Sequence, residues 1–155
     1  MSQNSAPSQT YLRNAVLTAT PEQLQLMLFD GAIKFATRGL EALQAKDREA
    51  TFLALERAQL IVLELANGIR REVNPELADR MTAIYNFVFR RLVDANVHQD
   101  EKALHDALRT LRYERETWVL LIEKLRKELH ASAPTAPVAS PATPAQEPGS
   151  FSAEG

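Results

Sequence analysis

Cysteine is missing from the 155 residues, so disulfides, thiolate nucleophiles and thiolate metal sites are excluded. The five glycines are scattered, and none belongs to a phosphate-cradling loop. No uncharged apolar run approaches the roughly 18 residues of a membrane span. The opening MSQNSAPSQT is polar and lacks the basic-then-apolar layout of a signal peptide. Neither sign of charge is in excess. The net charge is −2, and residues 1–130 hold all 18 Lys and Arg and 18 of the 20 acids. A nucleic-acid binder ordinarily carries a basic surplus to replace counterions. The expectation is therefore a cytosolic protein that binds no nucleic acid and does not insert into a membrane.

Catalytic chemistry is equally thin. Every serine falls outside residues 20–130, far in sequence from any His–Asp pairing. The three histidines do not form the doubled Glu-x-x-His pattern of a di-iron bundle. Glu101 and His105 have spacing four and occur once. His130 stands at a predicted helix end, where a cation suits the dipole. No catalytic residue, metal ligand or cofactor is expected, and the chain is not expected to be an enzyme.

What is present is helical pattern. With 45% apolar residues the chain can bury one sizeable core. Three zones emerge: a polar-then-mixed segment 1–19 expected to be flexible, a helical domain 20–130, and a tail 131–155. The tail holds five of the eight prolines and is expected to be disordered or polyproline-like. In the middle zone Thr20 caps a helix with Pro21 at its first position and Gln23 completing a capping box, running to about Ala45. Asp47 caps a second helix ending near Arg71. Asn74 and Pro75 open a third, ending near Asn96, and Asp100 opens a fourth, reaching about Leu129. No stretch alternates with period two. Four helices and short loops predict an all-α, antiparallel up-and-down four-helix bundle, with a short N-terminal segment packing on it.

The core stripes expected from spacings of three and four start with Leu24, Met27, Leu28, Gly31, Ala32, Phe35, Gly39 and Ala42. The second helix contributes Ala54, Ala58, Ile61 and Leu65, and the third Leu77, Met81, Ile84, Tyr85, Val88 and Leu92. The fourth contributes Leu104, Leu108, Leu111, Trp118, Ile122, Leu125 and Leu129. Arg115 falls inside that last stripe. It either snorkels to water or pairs with an acid as a partly buried charge; the pairing is favoured, because an unpaired charge there is costly.

More apolar surface is present than four helices need. Leu26, Phe29, Ile33, Ala36 and Leu40 lie largely outside the first stripe. Phe52, Leu55, Val62, Leu63 and Ala66 widen the second, and Phe87, Phe89 and Val93 the third. A bundle member needs only about a 100–150° apolar arc. The remainder is covered by irregular packing, a fifth short helix or a homodimer, or it is a groove for another chain. The segment from Tyr11 to Leu17 offers a further cover, folding back as a removable lid.

The stretch "Y-x4-V-x-TATPEQLQLMLFDGAI" resembles the start of the flagellar secretion chaperone family, FliS. That family opens with Tyr, Val, a Thr-Ala-Ser-Pro-type cap and Leu-x-x-Met-Leu-Tyr-x-Gly-Ala. "ALERAQLIVLEL", "ELADRMTAIYNFVFRRLVDANVHQD" and "LRYERETWVLLI" look like its later helices in the right order, so the likeness spans about residues 11–125. Phe29 stands where the family usually has Tyr, and the loop before Asn74 lacks the family's paired glycines. The resemblance implies a helical bundle in the bacterial cytoplasm that binds the disordered C-terminal part of flagellin, prevents premature polymerisation and delivers it to the export apparatus. It also implies an N-terminal segment over the bundle that shifts on binding. On that reading the anchors are Phe29, Ile33, Leu40, Leu55, Val62 and Phe89, with Tyr11, Leu12 and Val16 guarding the groove.

Overall fold

The structure, a computed structural model, describes residues 5–132, with side chains from Ser8 onward. The expected tail beyond Ser132 lies outside the described residues. Five helices follow in order: α1 (Ser5–Thr18), α2 (Pro21–Gln44), α3 (Arg48–Asn67), α4 (Pro75–His98) and α5 (Glu101–Ser132). No strand occurs among the described residues.

The helix starts follow the capping chemistry. Thr20 Oγ1 accepts from the Gln23 amide at 3.2 Å, and Gln23 Oε1 accepts from the Thr20 amide at 3.0 Å, closing the capping box. Asp47, Asn74 and Asp100 each accept from the amide three residues on, at 3.1 Å. Pro21 also separates α1 from α2. A residue before proline is driven out of the helical region, and Thr20 is extended at φ −69°, ψ 161°.

Two ends differ from expectation. The second predicted helix stops at Asn67 rather than near Arg71, because Gly68 follows as its C-cap and the chain must turn before Asn74. Residues 5–18, expected to be a flexible segment, form α1. Tyr11, Leu12, Ala15 and Val16 recur at helical spacing, and the Thr18 hydroxyl donates to Asn14 O at 2.8 Å.

Helices α2 to α5 pack in a ring: α2 against α3 and α5, and α4 against α3 and α5. With the short α2–α3 and α4–α5 loops, this is the up-and-down bundle. The core stripes are shifted from those expected in α2 and α3, whereas Tyr85, Val88 and Leu92 of α4 and Leu104, Leu108 and Leu111 of α5 are buried as expected. In α2 the buried row is Phe29, Ala32, Ala36, Gly39 and Leu43. In α3 it is Thr51, Leu55, Ala58, Val62 and Leu65, with the Thr51 hydroxyl donating to Asp47 O at 2.7 Å. In α4 it is Ala78, Tyr85, Val88, Leu92 and Ala95; in α5 it is Ala103, Leu104, Ala107, Leu108 and Leu111. The physical reason is size. In α2 the small residues Ala32, Ala36 and Gly39 sit where helices converge, so Leu28 and Phe35, expected at the centre, move to the flanks. Gly39 shows the limit: a Cβ there would lie 2.9 Å from Leu55 Cγ.

Candidate partner-binding surface

The shift of phase relocates the expected anchors. Phe29 and Val62 are each 1% exposed and Leu55 is fully buried. They are core side chains, which corrects the reading that placed Phe29, Leu55 and Val62 on surplus surface. Ile33, Leu40 and Phe89 pack half-buried against the same core cluster. Tyr11, Leu12 and Val16 are exposed, Tyr11 by 77%. Where α1 adjoins the bundle, Tyr11, Asn14, Ala15, Thr18 and Ala19 face Gln23 and Met27 across an open depression of about 440 Å³.

Two other features carry rows of exposed apolar side chains. The first is the end of α5. Asp30 accepts from Arg115 Nε at 2.5 Å, and Gln44 donates to Glu101 Oε1 at 2.9 Å, so α2 and α5 run antiparallel. Trp118 Nε1 donates to Glu22 O at 3.0 Å, one residue into α2. Beyond that level α5 continues to Ser132, about 21 Å of further helix at 1.5 Å per residue. Leu121, Leu125 and Leu129 prolong the core-facing row of α5 along this overhang, and all three are exposed, Leu129 by 70%. Leu125 and Leu129 were expected in the core; they lie past the end of the helices that would cover them.

The second feature is the seam between α3 and α4. One flank of α3 meets α2, through Ile61 near Gly31 and Arg57 over Phe35. One flank of α4 meets α5, through Arg91 and Asp106 at 2.8 Å. At about 100° per residue, the opposite flanks carry Phe52 and Leu63 on α3 and Phe89, Val93 and Val97 on α4. Phe52, Leu63 and Val97 are exposed.

Polar contacts hold these surfaces in place. Arg115, the cation of the α5 stripe, is paired with Asp30 and with Glu116 at 3.1 Å, as favoured from sequence. Arg91 binds Asp106 and, at 3.3 Å, Asp94, and the hydrogen bond from Arg91 holds the Asp106 carboxyl below its ordinary value. Tyr85 accepts from Gln25 Nε2 at 3.3 Å inside the bundle. Burial, seconded by the Glu114 charge, pushes its phenol up to about 12. Burial also raises the Glu114 carboxyl. His105 lies 3.4 Å from Glu101 on an exposed turn. Among the described residues no cluster of three or more potential ligands is placed to hold a metal ion, and no helix is long and apolar enough to cross a membrane.

Residues 3–125 match the family model described as flagellar protein FliS. The chain belongs to the FliS family. The flagellar secretion chaperone FliS of Bacillus subtilis is 36% identical over 126 residues, covering 81% of this chain and 93% of that protein. FliS of Salmonella typhimurium is 33% identical over 114 residues, covering 73% and 84%. A solved bacterial flagellar chaperone shares the fold, with a TM-score of 0.63 at 17% identity over 76% of this chain and 96% of its own. FliS is a family of flagellar secretion chaperones rather than enzymes, and its fold is the all-helical one described above. The family match ends inside the α5 overhang. The overhang was legible in the helix lengths alone, because a fourth helix longer than its neighbours must outrun them.

Proposed function

We propose that this FliS-family chain is a cytosolic export chaperone for flagellin. It holds the C-terminal segment of flagellin as amphipathic helices, keeps it from polymerising, and presents it to the flagellar export apparatus. The supporting observation is the continuous apolar row of α5 that passes beyond the bundle, together with the exposed apolar flanks of the α3–α4 seam. A partner that orders on binding needs a wide apolar contact to offset its loss of entropy. Phe89 supplies the half-buried rim of that seam, while Ile33 and Leu40 lie on the α5-facing flank of α2 and Tyr11, Leu12 and Val16 stand beside the start of α2. Phe29, Leu55 and Val62 act from beneath, as the packed floor that keeps the rim rigid.

The test is calorimetric titration with the C-terminal segment of a flagellin from the same genome. Coupled folding gives a large negative heat-capacity change. Leu63→Glu, on the exposed flank of α3, weakens binding at least tenfold while the melting curve stays close to that of the parent protein. No binding by a chain that is already dimeric in solution would refute the proposal, because its apolar surface would then be covered by a second copy.

A further inference from the structure

The outer seam between α2 and α3 is unlike the two apolar surfaces above. Small residues bring these helices together: Gly31 lies under Ile61 Cδ1 and Gly39 under Leu55. On the outside this leaves an open groove of about 470 Å³. Ala42, Ala50 and Ala54 line it with Leu53, and Phe35, Arg38 and Arg57 frame it. Three cations converge on the Phe35 ring. Arg57 Cζ stands 5.4 Å from its centroid, Arg38 Cζ 5.5 Å and Lys34 Nζ 6.0 Å.

None of the three forms an ion pair among the described residues. Of the bundle's arginines, Arg71 binds Asp79, Arg91 and Arg109 bind Asp106, and Arg115 binds Asp30; what sets Lys34, Arg38 and Arg57 apart is that three cations converge on one ring. A ring face attracts a cation by about 0.5–1 kcal/mol at an exposed site, and like charges around one ring repel one another. The missing counter-charge is an opening for a ligand that supplies it.

We propose that this groove is a second docking site, for a partner helix that is acidic and amphipathic. A large apolar side chain of that helix fills the space above Ala42, Ala50 and Ala54. Carboxylates one helical turn to either side meet Arg38 and Arg57, in the fork geometry that arginine shares with a carboxylate. A nucleic acid or other polyanion fits less well. The helical domain has no basic surplus to hold one, and the lining between the arginines is apolar. The seam lies on the flank of α3 opposite Phe52 and Leu63. Both flanks can therefore be occupied together, so the site does not depend on the flagellin reading.

The test uses the full chain, uniformly labelled with nitrogen-15, and two synthetic probes. Each is an 18-residue alanine–glutamine helix with one central leucine; one carries glutamates four residues to either side, the other lysines. The glutamate peptide is expected to shift the amides of Ala42, Ala50, Leu53, Ala54 and Arg57. Arg57→Glu, an exposed change that leaves folding intact, should weaken it at least tenfold, and raising salt from 50 to 300 mM should weaken it as well. The lysine peptide should leave those amides unmoved. Equal shifts from both peptides, shifts elsewhere only, or no shift at millimolar peptide would overturn the assignment. Displacement of bound glutamate peptide by the flagellin segment would show a single shared site and would also overturn it, leaving the chaperone reading standing.

Discussion

Val62→Glu and Leu63→Glu are neighbours in sequence and opposites in consequence. Val62 is 1% exposed and Leu63 43%. A carboxyl introduced at position 62 has no buried partner, so at pH 7 it stays protonated in the folded state. Holding a proton on a group of ordinary pKa about 4.3 costs about 4 kcal/mol at that pH. Losing the buried valine surface adds about 2 kcal/mol. The total, about 6 kcal/mol, rivals the whole stability of a domain of this size and lowers Tm by roughly 20 °C. The same group at position 63 reaches water and costs within about 1 kcal/mol. The pH dependence isolates the electrostatic part. The folded pKa is raised, so the folded state binds more protons than the unfolded one and the penalty grows as pH rises. At pH 4.5 most of that part is gone. Circular dichroism melts at 222 nm, each variant against the parent protein at the same pH, measure it. Equal melting of the two variants, or a gap for Val62→Glu that does not narrow between pH 7 and 4.5, would refute this account of the α3 phase.

Gly39→Ala should destabilise by about 1 kcal/mol in urea unfolding, because overpacking against the immobile Leu55 outweighs the gain in helix propensity. Gly31→Ala, which meets only the flexible tip of Ile61 at 3.2 Å, should be neutral or slightly stabilising. The reverse order would discredit the packing argument. Absorbance titration at alkaline pH should show one tyrosine ionising near pH 12, a phase that Tyr85→Phe removes. The protonated phenol is favoured by folding, so this contribution is complete below about pH 10 and is lost as pH climbs through 12. Asp106→Asn should lower Tm at pH 7, with the gap closing in acid. Arg91 depresses the folded-state pKa of Asp106, so its contribution is present above the ordinary carboxylate range and disappears as pH falls through the folded value.

The legible part of this fold is its punctuation. Thr20-Pro21, Asp47, Asn74-Pro75 and Asp100 announce helix starts through local chemistry that tertiary packing does not override. The phase of α4 and α5 was legible in Tyr85, Val88, Leu92, Leu104, Leu108 and Leu111, and that of α2 and α3 was harder to read. In α2, Phe29 and Ala36 adjoin Leu28 and Phe35, so two neighbouring rows are both apolar. Periodicity then fixes the repeat but leaves the direction of the core open. What decides the direction is the smallness of Ala32, Ala36 and Gly39 where α3 and α5 both approach, and that is a property of three helices at once. The same limit explains the anchors. All six lie outside the stripes expected from sequence; in the structure Ile33, Leu40 and Phe89 border the core, whereas Phe29, Leu55 and Val62 are inside it. The α1 helix was masked by its polar composition, and the cation cluster on Phe35 joins residues from two helices that no single-helix pattern connects.

The overhang of α5 gives this protein a segment whose helicity is only loosely tied to the rest. Three turns of helix standing alone are marginal in water, and residues 123–132 are exposed throughout. A ligand that lies along Leu125 and Leu129 therefore does more than cover them: it removes the fraying of the segment it touches. Trp118, the single tryptophan, stands at the root of that segment, hydrogen-bonded to the start of α2. Occupancy of the overhang thus registers twice in the unmodified protein, as a rise in ellipticity and as a change in the emission of one indole, without a label on either partner.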